Sequence, residues 1–582
     1  MPSPSLLQRL KERKLVQWGL AYLAGAWVLF EVSDAVGGRL GWPDPLYHGL
    51  LLVLAVGFFV ALILAWYHGE KGRQRVSGPE LLMVAALMVI AGGVLSVLPG
   101  GEPATGPEHV TSPPPVDDSR PSIAVLPLDN ISPNPEDAYF AAGMHEELTT
   151  RISQISALFV ISRSSVERYS DRATRPSVPE IAVALGDVDY VLEGSARIAG
   201  TQVRITVQLI DGKTDGHLWS DTFDGPYSVE ESIEVQSRIA REIASAIRVE
   251  ISPDEDRRIS ILPTENLEAY TFFLRGRNQF SNRSAENIRE AIRYYEAAIE
   301  QDSAFALAWA GIATAWTVLP FYEVMPSREG FVRGWDAAQR AMELDDGLAE
   351  VHAVFGALAL YHEWDWESAE KHLLRAIELD PNYAEGHFWL GTARCFLGQR
   401  DQGIESLETT VRLSPLAGNF QSTLALFLFD AGRVQEALAV IYRESRESDP
   451  SDLWWSPLLL QQGLEEEAFR VIRRWGEIVG YSNPERLDLV LSAMQAPELS
   501  NEALGVVEDL RRTTGVQARN LSILYLMLDA RAEALRSVKV GIAERDVGIP
   551  FFIPWAAAYG RERQMQFPEI MAAFEAAGIA VH

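Results

Sequence analysis

The chain has 582 residues, beyond the size at which one hydrophobic core keeps growing, so several domains are expected. Its 80 acidic residues against 51 basic ones leave a formal charge of −29; this argues against nucleic-acid binding, because phosphate contacts need clustered lysine and arginine. A single cysteine, Cys395, excludes an intrachain disulfide framework and a cysteine-rich zinc site.

Three apolar stretches open the chain, Leu15 to Val36, Leu46 to Trp66 and Leu81 to Leu98. Each is near the length needed to cross a bilayer, and residues 1–99 are expected to form a membrane anchor of three transmembrane helices. Arg9, Lys11, Arg13 and Lys14 precede the first stretch, and Lys71, Arg73 and Arg75 lie between the second and third. The positive-inside bias then predicts an inner-membrane protein with a cytoplasmic amino terminus, a bilayer as one partner, and periplasmic soluble domains. Residues 100–120, with Pro113, Pro114 and Pro115, read as an extended linker.

After the linker the pattern turns to a small α/β domain over residues 121–252. Ser122 to Leu128 reads as a buried strand, Asp137 to Ile155 as a helix, and Leu158 to Ser162 as a second strand. A further helix begins at Ile181. Tyr190 to Ile198 and Val203 to Asp211 alternate like an antiparallel hairpin about Gly200, and Val229 to Val249 reads as a long amphipathic helix.

Ser-Ile-Ala-Val-Leu-Pro at 122–127, Tyr-Phe-Ala-Ala-Gly-Met at 139–144, Asp-Tyr-Val-Leu-Glu-Gly-Ser at 189–195, Arg-Ile-Thr-Val-Gln-Leu-Ile-Asp at 204–211 and His-Leu-Trp-Ser at 217–220 together resemble one bacterial module. It is similar to the amino-terminal domain of TolB and to FlgO. In that family the module commonly precedes tetratricopeptide-repeat (TPR) arrays, in membrane-bound regulators of the CadC type and behind class III adenylate cyclase domains. The resemblance implies a fold and a context, not an activity. No winged-helix or cyclase domain fits in the fourteen residues before the first apolar stretch, so no output domain is expected in this chain.

The second half repeats. Pro381 and Pro415 stand 34 residues apart, and the pairs Gly391 and Ala425, and Gly403 and Ala437, keep that interval. This is the TPR period, in which a small residue lets two helices approach and a proline closes the unit. The clearest units run from Ala349 to Pro381, Ala384 to Pro415 and Gly418 to Pro450; earlier ones are read at Ala269 to Asp302 and Ala306 to Asp345, the latter with an insertion around Pro320 to Pro326. A TPR array over 265–450 and a degenerate TPR-like helical region over 451–582 follow, and the whole is mainly α, ending in an α-solenoid. The string Trp364-Asp-Trp-Glu-Ser-Ala369 resembles the repeats that accompany the TolB-like module.

In such an array the binding residues come from fixed positions on the first helix of each unit. These are Glu350, then Glu385, Phe388, Thr392 and Cys395, then Asn419, Ser422, Leu426 and Phe429, with Phe388 and Phe429 as candidate peptide anchors. The alternative is that these residues pack on neighbouring helices or on a carboxy-terminal segment of the same chain.

Signals of chemistry are weak. Gly212-Lys213-Thr214 lacks the earlier glycine of a phosphate loop, His145-Glu146 lacks a second histidine at Thr149, and Glu193-Gly194-Ser195 fits the strand motif of the resembled module rather than a nucleophile elbow. No catalytic residue, metal ligand or cofactor is expected. His352 and His387 occupy equivalent repeat positions, and polar packing accounts for them better than metal binding. The function expected is a non-catalytic, membrane-anchored scaffold or sensor that binds a protein or peptide. The rival is a signalling subunit that regulates a separate adenylate cyclase or transcription regulator.

Overall fold

The computed structural model describes residues 120–134, 137–281, 284–322, 324–444, 453–546, 548–563 and 567–579. Two of the expectations above are corrected. The fold class included three transmembrane helices, yet no helix among the described residues is long and apolar enough to cross a membrane. The stretches at 15–36, 46–66 and 81–98, like the linker up to residue 119, lie outside the described residues. The inner-membrane placement and the bilayer as a partner rested on those stretches and are withdrawn with them.

A mixed sheet opens the described chain. Strands β1 (Ser122–Val125), β2 (Asp129–Asn130), β3 (Phe159–Val160), β4 (Tyr190–Ala199), β5 (Gln202–Asp211) and β6 (His217–Pro226) lie in the order β3-β1-β4-β5-β6, with β2 also against β4. The short strands run parallel, and β4 to β6 form an antiparallel meander. Parallel strands are covered on both faces, which is why β1 can be the apolar run Ile123-Ala124-Val125 with no exposed surface. The meander alternates instead. Val203, Ile205, Val207 and Leu209 of β5 are buried, whereas Arg204 is exposed and Thr206 and Gln208 are half-buried.

Gly194 lies at the tightest point of that meander. A Cβ there would stand 2.2 Å from the Thr206 carbonyl oxygen, so the Gly-Ser pair of the sequence motif reflects strand packing rather than nucleophile chemistry. The turn after β5 is closed by the Asp211 carboxylate, which accepts from the Lys213 and Thr214 amides at 3.1 and 2.8 Å. Helices α1 (Ala138–Ser153), α2 (Arg163–Val166) and α3 (Val178–Ala184) alternate with the short strands. Helix α4 (Val229–Ala246) follows the meander, capped by the Ser228 hydroxyl, which accepts from the Glu231 amide. It meets β6 through Trp219, whose indole donates to Glu242 at 2.9 Å. A short α5 (Pro253–Arg258) leads out of this region.

Helical hairpins make up the rest. Five stand where repeats were expected: α6 (Leu267–Ser281) with α7 (Ala285–Gln301), α8 (Ala306–Val318) with α9 (Ser327–Leu344), α10 (Ala349–Leu358) with α11 (Trp366–Leu379), α12 (Ala384–Phe396) with α13 (Arg400–Leu413), and α14 (Gly418–Asp430) with α15 (Val434–Glu444). Three more hairpins occupy the degenerate region: α16 (Trp455–Gln461) with α17 (Glu465–Ile478), α18 (Asp488–Gln495) with α19 (Ser500–Thr513), and α20 (Ala518–Met527) with α21 (Arg531–Glu544). Helices α22 (Ile549–Arg563) and α23 (Pro568–Ala576) close the described chain.

The loop between successive units is tied down in the same way four times. Trp309, His352, His387 and Gln421 each bond the backbone carbonyl six residues earlier, at Ser303, Asp346, Pro381 and Pro415, over 3.1, 2.9, 3.0 and 2.6 Å. The two histidines at equivalent repeat positions are therefore loop anchors.

The candidate groove and the seam beside it

The expected groove residues come from the first helices α10, α12 and α14, and most of them face other parts of the chain. Phe388 is buried with its ring centroid 4.8 Å from that of Phe420. The Thr392 hydroxyl, fully buried, donates to the Phe388 carbonyl one turn back at 2.9 Å. Ser422 accepts from the Trp455 indole at 3.4 Å, and Phe429 packs against the same ring at 5.7 Å. Leu426 and Cys395 are buried, and burial pushes the Cys395 thiol up. The two phenylalanines expected to anchor a peptide are thus internal. Glu350 and Glu385 are half-buried and Asn419 is exposed.

Sequence reasoning left a carboxy-terminal segment open as the occupant of the space beside these helices but named none of its residues. Phe551, near the start of α22, meets one aromatic ring from each of four successive units: Tyr361 at 6.1 Å, Phe396 at 5.4 Å, Phe427 at 6.4 Å and Trp454 at 5.7 Å. Helix α22 is apolar on nearly every side, with Phe552, Trp555 and Tyr559 buried, and carries Pro554 within it. A helix apolar all round must be covered all round. The only advance signal was the run Ile549-Pro-Phe-Phe-Ile-Pro-Trp555, too long and apolar for an exposed surface.

A second feature is the seam between the sheet region and the array. Helix α1 packs against α6, and their contact holds buried charge. Arg277 of α6 reaches Glu146 at 2.9 Å and Glu147 at 3.7 Å, and Arg163 also pairs with Glu146. Burial alone would raise the Glu146 carboxyl, but Arg277 and Arg163 hold it down at about 2, whereas burial keeps Glu147 above the usual range. His145 beside them is neutral. Burial and the Arg163 charge lower it to about 4, and its Nε2 hydrogen-bonds the Val125 carbonyl at 2.9 Å. The His145-Glu146 pair is therefore committed to structure.

The seam continues along the loops that close two repeats. Asn382 donates to the Ser153 and Leu158 carbonyls at 2.8 and 3.0 Å and accepts from the Val160 amide at 3.2 Å, satisfying its amide on three sides. Asp380 accepts from the Ser153 hydroxyl at 2.7 Å. Burial pushes its carboxyl up to about 7, and the Glu350 charge works in the same direction. In the next unit the Ser162 amide donates to the Leu413 carbonyl at 2.7 Å, and the Arg412 guanidinium lies 5.2 Å from the Phe159 ring centroid. Among the expected groove residues, Glu350 is thereby drawn into the seam's electrostatics.

The tetratricopeptide-repeat family matches residues 393–452, covering the end of α12 and all of α13, α14 and α15. Among curated proteins, the chain is 33% identical over 296 residues to one named "Putative adenylate cyclase 3" from Rhizobium meliloti (strain 1021). That match takes in 51% of this chain and 44% of the length of that protein, so the chain spans less than half of the relative it matches. Similar solved structures include YrrB, titled a TPR protein with an unusual peptide-binding site, at 18% identity and a TM-score of 0.22 over 30% of this chain and 84% of that one. TTC0263 of Thermus thermophilus matches at 19% identity and a TM-score of 0.27, over 35% of this chain and 98% of that one. The MamA protein matches at 20% identity and a TM-score of 0.22, over 30% and 90%. The chain carries tetratricopeptide repeats.

Proposed function

We propose that this protein is a non-catalytic tetratricopeptide-repeat scaffold that holds a protein or peptide partner, with residues 265–450 as the array and residues 121–252 as a TolB amino-terminal/FlgO-like docking or sensing domain. The observation that carries the reading is the repeat itself: five hairpins in succession with the TPR match at 393–452. An array of this kind presents first-helix positions in a row, and Glu350, Glu385 and Asn419 are those not fully buried. Phe388, Thr392, Ser422 and Phe429 shape the wall behind them. The partner therefore offers hydrogen-bond donors and positive charge, suited to Glu385 and Asn419 on an acidic chain, Glu350 being engaged at the seam.

Site-specific photocrosslinking in cells tests this. A photoreactive residue at 385 or 419 is expected to give one discrete adduct that is absent with the same residue at 536, on the exposed face of α21. Identical patterns at all three positions would sink the reading.

A second reading is favoured by the named relative: a subunit that regulates a separate adenylate cyclase. It is supported by the 33% identity over 296 residues to a protein of that name. Co-expression with a cyclase catalytic domain from that relative is expected to change cyclic AMP at constant cyclase level. No change would remove this reading and leave the scaffold standing.

A further inference from the structure

Helix α22 sits on the array much as a bound peptide would. Its Phe551 touches one ring from each of four units, and the helix packs against α14, α16, α20 and α21. Apolar on nearly every side, with Pro554 removing a hydrogen bond from its interior, it has little helical stability of its own and depends on the surface that receives it.

The fit leaves defects. A cavity of about 20 Å³, room for about one water, remains between Ile553, Pro554 and Ala557 of α22 and the array residues Trp366, Cys395 and Phe427. Trp366 lines that cavity and Trp454 meets Phe551, yet neither indole N–H has an acceptor. Buried donors without acceptors weaken the seating of an apolar helix beside them.

Strain gathers where α22 is joined to the array. Trp364 and Arg545 both hold the left-handed conformation, at φ 61° and 53°, and the Arg545 guanidinium lies 3.9 Å from the Trp364 ring centroid. For side chains of that size the conformation is costly, and it persists only where surrounding contacts impose it. Trp364 ends the single π turn Ala359–Glu363, which also carries Tyr361 to Phe551. One strained turn of the third repeat thus grips both the approach to α22 and its central ring.

We propose that the aromatic row of Tyr361, Phe396, Phe427 and Trp454 is a docking surface for an aromatic-rich helical segment of a partner protein, and that α22 is an intramolecular stand-in which such a segment displaces. The proposal rests on the scaffold reading and names the class of its partner.

A fluorescein-labelled peptide of residues 549–563 is the probe, added to the full chain and followed by anisotropy. The resident helix acts at high effective concentration, so the wild type should bind weakly, with a dissociation constant above about 100 µM. Phe551→Ala in the chain should tighten binding about tenfold or more, Arg545→Gln severalfold, and Arg204→Gln on β5 not at all, because apparent affinity follows the fraction of chains with the surface open. The peptide carrying Phe551→Ala should bind the same chains about tenfold more weakly. Cys395, buried between Gly403 of α13 and the cavity beside α22, gives a test that needs no variant. In dilute urea a thiol reagent should label it about tenfold or more faster than global unfolding allows, through local release of α22. Should Phe551→Ala melt too low to assay, Arg545→Gln and the Cys395 rate carry the test. Unchanged peptide binding in the variants that fold, or labelling of Cys395 only through global unfolding, overturns the proposal; discrete adducts at 385 or 419 would then still leave the scaffold reading standing.

Discussion

The most informative single residue is Asp380, a carboxyl whose buried position at the seam raises it to about 7. Four groups act on it: Ser153 and Asn382 through hydrogen bonds, Glu350 through like charge and Arg258 through opposite charge. An unfolded aspartate titrates near 3.9, so between roughly pH 4 and pH 7 the folded chain keeps a proton that the unfolded chain has lost. Stability contributed here is therefore full below about pH 4, falls as pH rises to about 7, and is flat above. Asp380→Asn removes that slope. The variant should gain on the wild type between pH 5 and pH 8, by on the order of 2 kcal/mol at the upper end, read from urea unfolding midpoints at each pH. An equal difference between the two chains at every pH would show that Asp380 is ionised throughout. Glu146 works with the opposite sign: held at about 2, it contributes stability above the ordinary glutamate range that is lost on acidification.

At the scale of elements, the repeat hairpins depend on close helix approach. A Cβ on Gly403 of α13 would stand 2.4 Å from the Cys395 sulfur and 2.8 Å from the Gly391 carbonyl oxygen. A backbone carbonyl cannot move aside without shifting α12, so Gly403→Val should destabilise by about 1–3 kcal/mol in urea unfolding. Gly505 in α19 is the counterpart, with open space around its Cβ direction. Gly505→Ala should stabilise by roughly 0.5–1 kcal/mol, because alanine loses less backbone entropy in a helix. If both substitutions proved neutral, the helix spacing described above would be wrong. The sequence interval that marked Gly403 as a repeat position also marked it as a contact, whereas Gly505 carried no periodic signal. For the sheet, alternation was enough to place β4 and β5. The two-residue strands β2 and β3 are too short to show a period, and β6 was represented only by a motif and the turn before it.

At the scale of the whole molecule, helix α22 decides how much of the array is open. Phe551 contacts rings of four units at once, so its removal loosens the degenerate region and the clear repeats together. Phe551→Ala should cost about 3–5 kcal/mol and reduce near-ultraviolet circular dichroism from the surrounding aromatics. A loss below about 1 kcal/mol would show that the aromatic row holds without it. The seam has a similar reach, because Asn382 and Asp380 join a repeat loop to α1 and the short strand β3. Both features draw residues far apart in sequence into one packing problem.

The amino-acid sequence alone determined the repeat period, the hairpin positions, the strand alternation and the absence of a disulfide framework. Each follows from spacing within some tens of residues, where side-chain chemistry and helix or strand geometry suffice. It also marked Phe388 and Phe429 as first-helix residues without telling whether a foreign peptide or the chain itself would cover them. Only the tertiary structure decided that Phe420 and Trp455 do so, that α22 lies across four units, and that Arg277 is neutralised by Glu146 and Glu147. The physical reason is that a helical stripe specifies that a face must be buried, while the partner that buries it is chosen by long-range packing among many apolar faces of similar composition.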